Sequence, residues 1–490
     1  MTKEPASFSR IDWILLGLIL LVALVLRLYN VTSPLADWHS WRQADTAAVS
    51  RNLVEKDFNL MRPIYDDLSN VQTGEYNPEG LRFVEFPLYN AATALVYKAI
   101  PMVPIEQIAR YITIFCSLIV IASLYYLVRL EVSRLSAICA GLIYAVFPFF
   151  VYYSRVVLPE TPGLACMSIS IVLLYMYMKS KPGSLKLLQF ILACVGAAAA
   201  LLIKPTLIFY LIVAGCMYWA KYRLSIFKRI DAYLYVALAI LPMIAWRMYI
   251  QQFPVGIPAY DWLITTVNTY EGPKVIFMRP AFFRWIFHER ILNLIMGGWA
   301  AVFIVIGALK RSTRSMTIPY GIGLSALTYL LTFQGGNVQH DYYQTLILPA
   351  LAVFAGIGIA MIYENKKTFT HPFLVSIIVV GLLGFSWLMS YETVKGYYGY
   401  SEQLIQTAKI IDTITPKDAL VITESVGDTT LLYNARRRGM PSTADTLPKL
   451  KERGMQYFVT TSDETIAKTQ KENPEYEIIF KNDGVSIFKL

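Results

Sequence analysis

Acidic, basic and imidazole side chains come in short clusters set between long apolar runs. The first cluster holds Asp37, His39, Arg42, Asp45, Arg51, Asp66, Asp67, Arg82 and Glu85, interleaved with Trp38, Trp41, Tyr65, Tyr76 and Phe83. Within ADWHSWRQADTAAVSRNL, Arg42 and Asp45 are three apart and so share one face of a helix expected from about Trp38 to Leu53. A carboxylate beside a cation at a water interface can take a proton from an acceptor hydroxyl. The plainer reading makes Asp37 a helix N-cap and Arg42–Asp45 a local ion pair. Later clusters repeat the theme. FVEFPLYN carries Glu85, and YSRVVLPETPG carries Arg155 and Glu160. IKP carries Lys204, FHER carries His288, Glu289 and Arg290, and QHDYYQ carries His340, Asp341, Tyr342 and Tyr343. Lysine and arginine hold phosphate oxygens well. His39, Glu160, His288 and His340 are types that hold a divalent metal or orient an acceptor, and spacing alone chooses neither. Any one cluster reads as interfacial anchoring. Gathered on one membrane face, they suggest a site for a charged, amphipathic substrate.

The elements that must position these groups are membrane helices. Hydrophobic residues make up 56% of the 490, charged residues only 16%, and mean hydropathy is +0.47. Apolar runs of bilayer length are expected at about 11–28, 108–129, 135–153, 161–178, 185–203, 205–220, 231–249, 291–309, 316–333, 343–363 and 372–390. The run from Ile11 is too long for a secretory h-region and no small-residue cleavage site follows it, so it is expected to stay as a helix. Five cysteines all lie inside apolar runs, with no CxxC pair.

Lysine and arginine crowd into alternate gaps: Lys3 and Arg10, Arg129 and Arg134, Lys179 to Lys186, Lys221 to Arg229, Lys310 to Arg314, and Lys366 with Lys367. The positive-inside rule makes these gaps cytoplasmic, so the net charge of +10 is a topology signal and calls for no nucleic-acid partner. Parity then requires Pro87–Ile100 to lie at the interface without crossing. The expectation is a multi-pass protein of the plasma (inner) membrane, with the N-terminus cytoplasmic and the C-terminus extracytoplasmic. Residues 1–395 form the polytopic part, with a large external loop over 29–107, and 396–490 form a small soluble α/β domain. In that tail SEQLIQTAKIIDTI, Asp428–Arg438 and Thr446–Arg453 read as helices, and ALVIT, QYFVTT and EYEIIF as strands, with VSIFKL closing the chain.

The motifs ADWHSWRQADTAAVSRNL, FVEFPLYN, RVVLPETPGL, IKPTLIFYL and HDYYQTLILPALAVFAGIGIA occur in the order seen in the GT-C superfamily of membrane glycosyltransferases. The chain most resembles the bacterial branch similar to protein O-mannosyltransferases and lipid A aminoarabinose transferases, over roughly residues 11–365. The resemblance implies an all-α GT-C-like membrane body, and a polyprenyl-phosphate-linked sugar transferred outside the cytoplasm with inversion. In the family's first loop the pattern is Asp-Glu-x-Arg or similar. If Arg42 is that arginine, His39 and Ser40 stand where the acids belong, so the carboxylate falls to Asp37, with Asp45 second. FVEFP resembles Phe-x-Glu-Lys-Pro, which carries over Glu85 and puts Phe86 in place of the lysine. PET carries over Glu160, and IKP gives Lys204 as a donor-phosphate ligand. HER resembles a later loop whose His and Arg are more widely spaced. The expected donor-phosphate contacts are Arg42, Lys204, Arg290 and Tyr343, with a divalent metal ion as the alternative source of positive charge and otherwise no cofactor.

The implied partners are the lipid-linked donor, membrane lipids and a glycan, lipid or protein acceptor. A transporter or flippase for lipid-linked sugars would instead show ionisable residues at mid-membrane, broken helices and repeated halves. A lipid-linked glycan ligase or polymerase would share the large external loop and helical body.

Overall fold

The computed structural model describes residues 8–259, 263–311, 316–482 and 484–490. The chain forms two compact units. One comprises Met1–Val31, Arg110–Trp246 and Tyr260–Tyr397; the other comprises Thr32–Ala109, Arg247–Ala259 and Tyr398–Leu490.

The first unit is almost wholly helical. Across the described residues of the chain, seven stretches are long and apolar enough to cross a membrane: Ile105–Glu131, Glu160–Lys179, Ser184–Ile203, Pro205–Lys228, Ile230–Ile250, Asp341–Glu364 and Pro372–Ile414. The other expected runs form helices that are charged, short or broken. Helix α1 (Arg10–Arg27) carries charge at both ends, and both ends are tied down. Asp12 lies 2.8 Å from Arg129 Nε and 2.7 Å from Arg134 Nε, while Arg27 donates to Ser154 and to the carbonyls of Tyr144 and Ala145. The run at 135–153 is cut where Pro148 starts a new helix, because proline cannot continue the preceding hydrogen-bond ladder. The run at 291–309 begins as a π-helix, Arg284–Ile295, then turns at Gly297 and Gly298, both with positive φ, before Ala301–Ala308. At Gly297 a Cβ would stand 1.7 Å from the Ser386 carbonyl oxygen, so only glycine fits. Thr317–Thr332 is 16 residues long. A two-stranded hairpin, β1 (Thr266–Thr269) and β2 (Gly272–Val275), completes this unit.

The second unit joins the expected external loop to the C-terminal region. It contains helices α2 (Ser40–Glu55) and α3 (Leu88–Ala99), and the opening turn of α4 (Ile105–Glu131). The 12-residue α3 covers the segment expected to lie at the interface. The C-terminal part is a five-stranded sheet of order β4-β3-β5-β7-β6: β3 (Leu420–Thr423), β4 (Arg438–Met440), β5 (Tyr457–Thr460), β6 (Glu477–Lys481) and β7 (Ser486–Lys489). Strands β4, β3 and β5 run parallel, and β7 and β6 are antiparallel additions. The expected helix over Asp428–Arg438 is only Thr430–Asn434, and its last residue already belongs to β4. This unit takes in residues of the expected external loop as well as the C-terminal region. Leu68 N–H donates to Gly439 O at 2.8 Å and Gly439 N–H to Asp66 O at 2.9 Å, so residues 66–68 extend the sheet beside β4. Ile422, Met440, Phe458 and Phe488 form the core on one side of it, and Leu68 packs with them.

Candidate functional site

In the second unit, α2 organises the polar groups. Its cap position is His39, in a left-handed backbone (φ 56°) and with no side-chain capping bond, so the reading of Asp37 as N-cap is set aside. Asp37 Oδ1 instead accepts from Gln43 Nε2 at 2.7 Å, and the same amide donates to Trp38 O at 3.0 Å. This uncharged amide fixes the carboxylate on the wall of a cavity of about 570 Å3 that Trp38, His39, Trp41 and Tyr400 also line. Non-glycine residues held with positive φ cluster at functional sites.

The expected Arg42–Asp45 pairing is replaced by two longer-range pairs. Arg42 Nη2 meets Glu85 Oε1 at 2.6 Å, and Arg82 Nη2 meets Asp45 Oδ2 at 2.9 Å. Asp45 also accepts from Gln72 Nε2 at 3.1 Å and Thr429 Oγ1 at 2.6 Å. One turn and a half further on, Arg51 pairs with Asp66 at 2.5 Å and donates to Tyr433 O at 2.9 Å. Asp67 is fully buried. Its Oδ1 accepts the Ser69 N–H at 2.7 Å, and its Oδ2 has no hydrogen-bond partner among the described residues. Burial pushes its carboxyl up to about 6, aided by the nearby Asp45 charge and opposed by the Ser69 bond and Arg82.

In the first unit the expected residues form two further groups. Helix α5 (Arg134–Val146), α6 (Pro148–Tyr153), α7 (Glu160–Lys179) and α8 (Ser184–Ile203) frame the first. Glu160 is the first residue of α7, where the helix dipole favours an anion, and Lys204 ends α8 against Pro205. Lys204 Nζ lies 2.5 Å from Glu160 Oε1 and 5.2 Å above the Tyr343 ring. Tyr343 and its neighbour Tyr342 are buried. The second group centres on Asp341. It accepts the hydroxyls of Tyr153 and Tyr397 at 2.5 Å each, and Arg290 Nη1 stands 3.5 Å away. The π-helix turns Arg290 to this carboxylate, while the His288 side chain is 58% exposed beside Glu289. His340 stacks on Tyr342.

The implied metal does not fit these residues. Among the described residues no group of three or more His, Cys, Asp or Glu is arranged to hold a metal ion. Glu160 is engaged by Lys204. Asp341, Arg82 and Tyr153 stand in the sequence clusters without an assigned role, Asp341 beside Tyr343 in HDYY and Tyr153 at the head of YSRVVLPETPG, whereas Tyr397 stands in no motif and is found only by folding.

Residues 87–249 match a family model described as dolichyl-phosphate-mannose-protein mannosyltransferase. No curated protein matches the chain. Among solved structures, the chain is similar to ArnT from Cupriavidus metallidurans bound to undecaprenyl phosphate, with 14% identity, a TM-score of 0.67 and 98% of each chain covered. It is also similar to the Archaeoglobus fulgidus oligosaccharyltransferase in its apo form, with 9% identity, a TM-score of 0.61, and 92% of this chain and 69% of that one covered. The archaeal oligosaccharyltransferase AglB from Archaeoglobus fulgidus, in complex with an inhibitory peptide and a dolichol-phosphate, gives 10% identity, a TM-score of 0.56 and coverage of 93% of this chain and 70% of that one. At these identities the likeness is one of fold, shared with these solved structures over nearly the whole of this chain.

Proposed function

We propose that the chain is a membrane glycosyltransferase that moves a sugar from a polyprenyl-phosphate-linked donor to a glycan, lipid or protein acceptor by a single inverting displacement. The observation that carries this reading is Asp37, a carboxylate oriented by Gln43 on the wall of an aromatic-lined cavity. The acceptor hydroxyl gives its proton to Asp37 as its oxygen bonds to the anomeric carbon. The bond from that carbon to the phosphate oxygen breaks, and the polyprenyl phosphate leaves with the electron pair. Lys204 and Arg290 supply positive charge for the leaving phosphate, and Tyr343 a hydroxyl donor. Arg42 is assigned to the donor phosphate as well, with Glu85 holding its guanidinium in place. ArnT and AglB have been solved with polyprenyl-type phosphates, which supports a lipid phosphate as the leaving group here.

The test is incubation of the purified protein in nanodiscs with a polyprenyl-phosphate sugar, with both lipid species followed by mass spectrometry. Conversion to free polyprenyl phosphate, lost in Asp37→Asn, is the expected result. A flippase would leave the lipid-linked sugar chemically intact.

Alternating basic gaps support a cytoplasmic N-terminus and an extracytoplasmic residue 400–490 region. A cysteine introduced near residue 440 should react with an impermeant reagent added from outside. Labelling only after the cytoplasmic face is opened would reverse this topology.

A further inference from the structure

The end of α2, the end of α3, the first turn of α4 and the segment Tyr433–Arg436 enclose a cavity of about 290 Å3, close to the ~300 Å3 at which ligand pockets begin. Its charged lining is mixed. Arg51 is committed to Asp66 and the Tyr433 carbonyl. Glu55 sits 3.9 Å from Arg51 Nε with its side chain 59% exposed. Glu106 accepts the Tyr433 hydroxyl only at 3.4 Å, near the limit of a hydrogen bond. Arg436 is exposed in a left-handed backbone (φ 50°), and its guanidinium has no partner among the described residues. The cavity thus offers one uncommitted cation and two weakly engaged carboxylates.

Its depth follows from α4. This helix is one of the seven long enough to cross a membrane, so its first turn, with Ile105 and Glu106, lies where the chain enters the bilayer. Beside the cavity, Leu95, Val96, Ile100 and Met102 expose apolar surface, Met102 at 88%, and Lys98 lies over the Phe58 ring. Apolar side chains next to a charged pocket at headgroup level are what a phospholipid meets when its chains stay in the bilayer.

We infer that this cavity binds the headgroup of an amine-bearing phospholipid, with the phosphate on Arg436 and the ammonium on Glu55 and Glu106. A purely anionic headgroup would meet two carboxylates without compensation. A quaternary ammonium has no N–H to donate to them. This inference stands apart from the transferase reading, because none of these residues is assigned to donor or acceptor.

The experiment titrates the full-length protein in detergent with short-chain phosphatidylethanolamine, phosphatidylcholine and phosphatidylglycerol, reading thermal shift and native mass spectra. Phosphatidylethanolamine should bind about tenfold more tightly than either of the others, as one charge-assisted contact allows. Arg436→Ala, at an exposed position that leaves the fold intact, should remove that preference, and Glu106→Gln should reduce it. Equal affinity for the three lipids, tightest binding of phosphatidylglycerol, or a preference that survives Arg436→Glu would each overturn the assignment.

Discussion

Arg82 Nη2 stands 2.9 Å from Asp45 Oδ2, with the two side chains only 4% and 0% exposed. The guanidinium also donates to Gln72 and lies over the Tyr65 ring. Thr429, from the loop after β3, completes the shell around the carboxylate. Asp45 therefore ties α2 to both the loop at residue 72 and the C-terminal sheet. Asp37, eight residues earlier, accepts from the Gln43 amide and lines a cavity. The two acids that sequence alone ranked as rivals for one role have different surroundings, and those surroundings suggest different roles.

Asp45→Ala should unfold the protein more readily, with the change visible in stability before any kinetic defect is considered. Removing one member of a buried pair leaves the other charge without compensation and costs about 3–5 kcal/mol. Differential scanning fluorimetry should show a clear drop in Tm, and Arg82→Leu combined with Asp45→Leu should recover part of it. A single Asp45→Ala variant that melts with the parent protein would show the pair to be dispensable.

Asp67 gives the second unit a pH dependence of defined sign. Burial holds its folded carboxyl at about 6, above the ordinary aspartate range, so the folded state holds the proton more tightly than the unfolded one. Stability from this group is present below about pH 4 and is lost as pH rises through about 6, by up to ~3 kcal/mol. Asp67→Asn should flatten that slope and raise Tm at pH 7.5 while changing little at pH 4.5. Parallel slopes for the two proteins between pH 4 and 7 would remove Asp67 as the source.

How much of this was legible in the sequence differs by element. The apolar runs mark the membrane helices because hydrocarbon demands continuous apolar length, and the strands at 420–423 and 457–460 fall on the runs ALVIT and QYFVTT. The helix Asp463–Glu472 went unread because its sequence, DETIAKTQKE, is nearly all polar and only Ile466 and Thr469 are buried. Partnerships were the least legible. Asp45 pairs 37 residues away with Arg82 and binds Thr429 across most of the chain, and neither separation leaves a periodic signal. The i,i+3 rule named Arg42 as its neighbour on the helix. Burial of longer-range charges overrode it, since a surface-type pair contributes only a few tenths of a kcal/mol.

Lys204 can be separated into a structural part and a binding part. Lys204→Ala alone leaves Glu160 buried against the start of α7 without its cation, so lost donor binding could reflect damage to the fold. The double variant Lys204→Met with Glu160→Gln removes both charges and keeps the volume. It should melt near the parent protein yet bind a polyprenyl-phosphate sugar about 10- to 100-fold more weakly, the loss of one hydrogen bond to a charged group. Isothermal titration in nanodiscs measures it. Unchanged affinity in a folded double variant would make Lys204 a structural partner of Glu160 and nothing more.

Asp37→Asn isolates the chemical step. Asparagine keeps an oxygen to accept the Gln43 amide, so the local hydrogen bond and the shape of the cavity wall survive the change. A capping role would survive it too, although the N-cap position of α2 is occupied by His39. What asparagine lacks is the ability to take a proton at neutral pH. Transfer from the lipid-linked donor should slow by about 10²- to 10⁴-fold, as loss of a general base does. Donor affinity should stay within twofold, because the phosphate contacts assigned here lie on other residues. A rate drop with unchanged binding and unchanged Tm is the signature of a base. Full activity in the folded variant would make Asp37 an orienting residue, and Glu85, already beside Arg42, would become the carboxylate to test next.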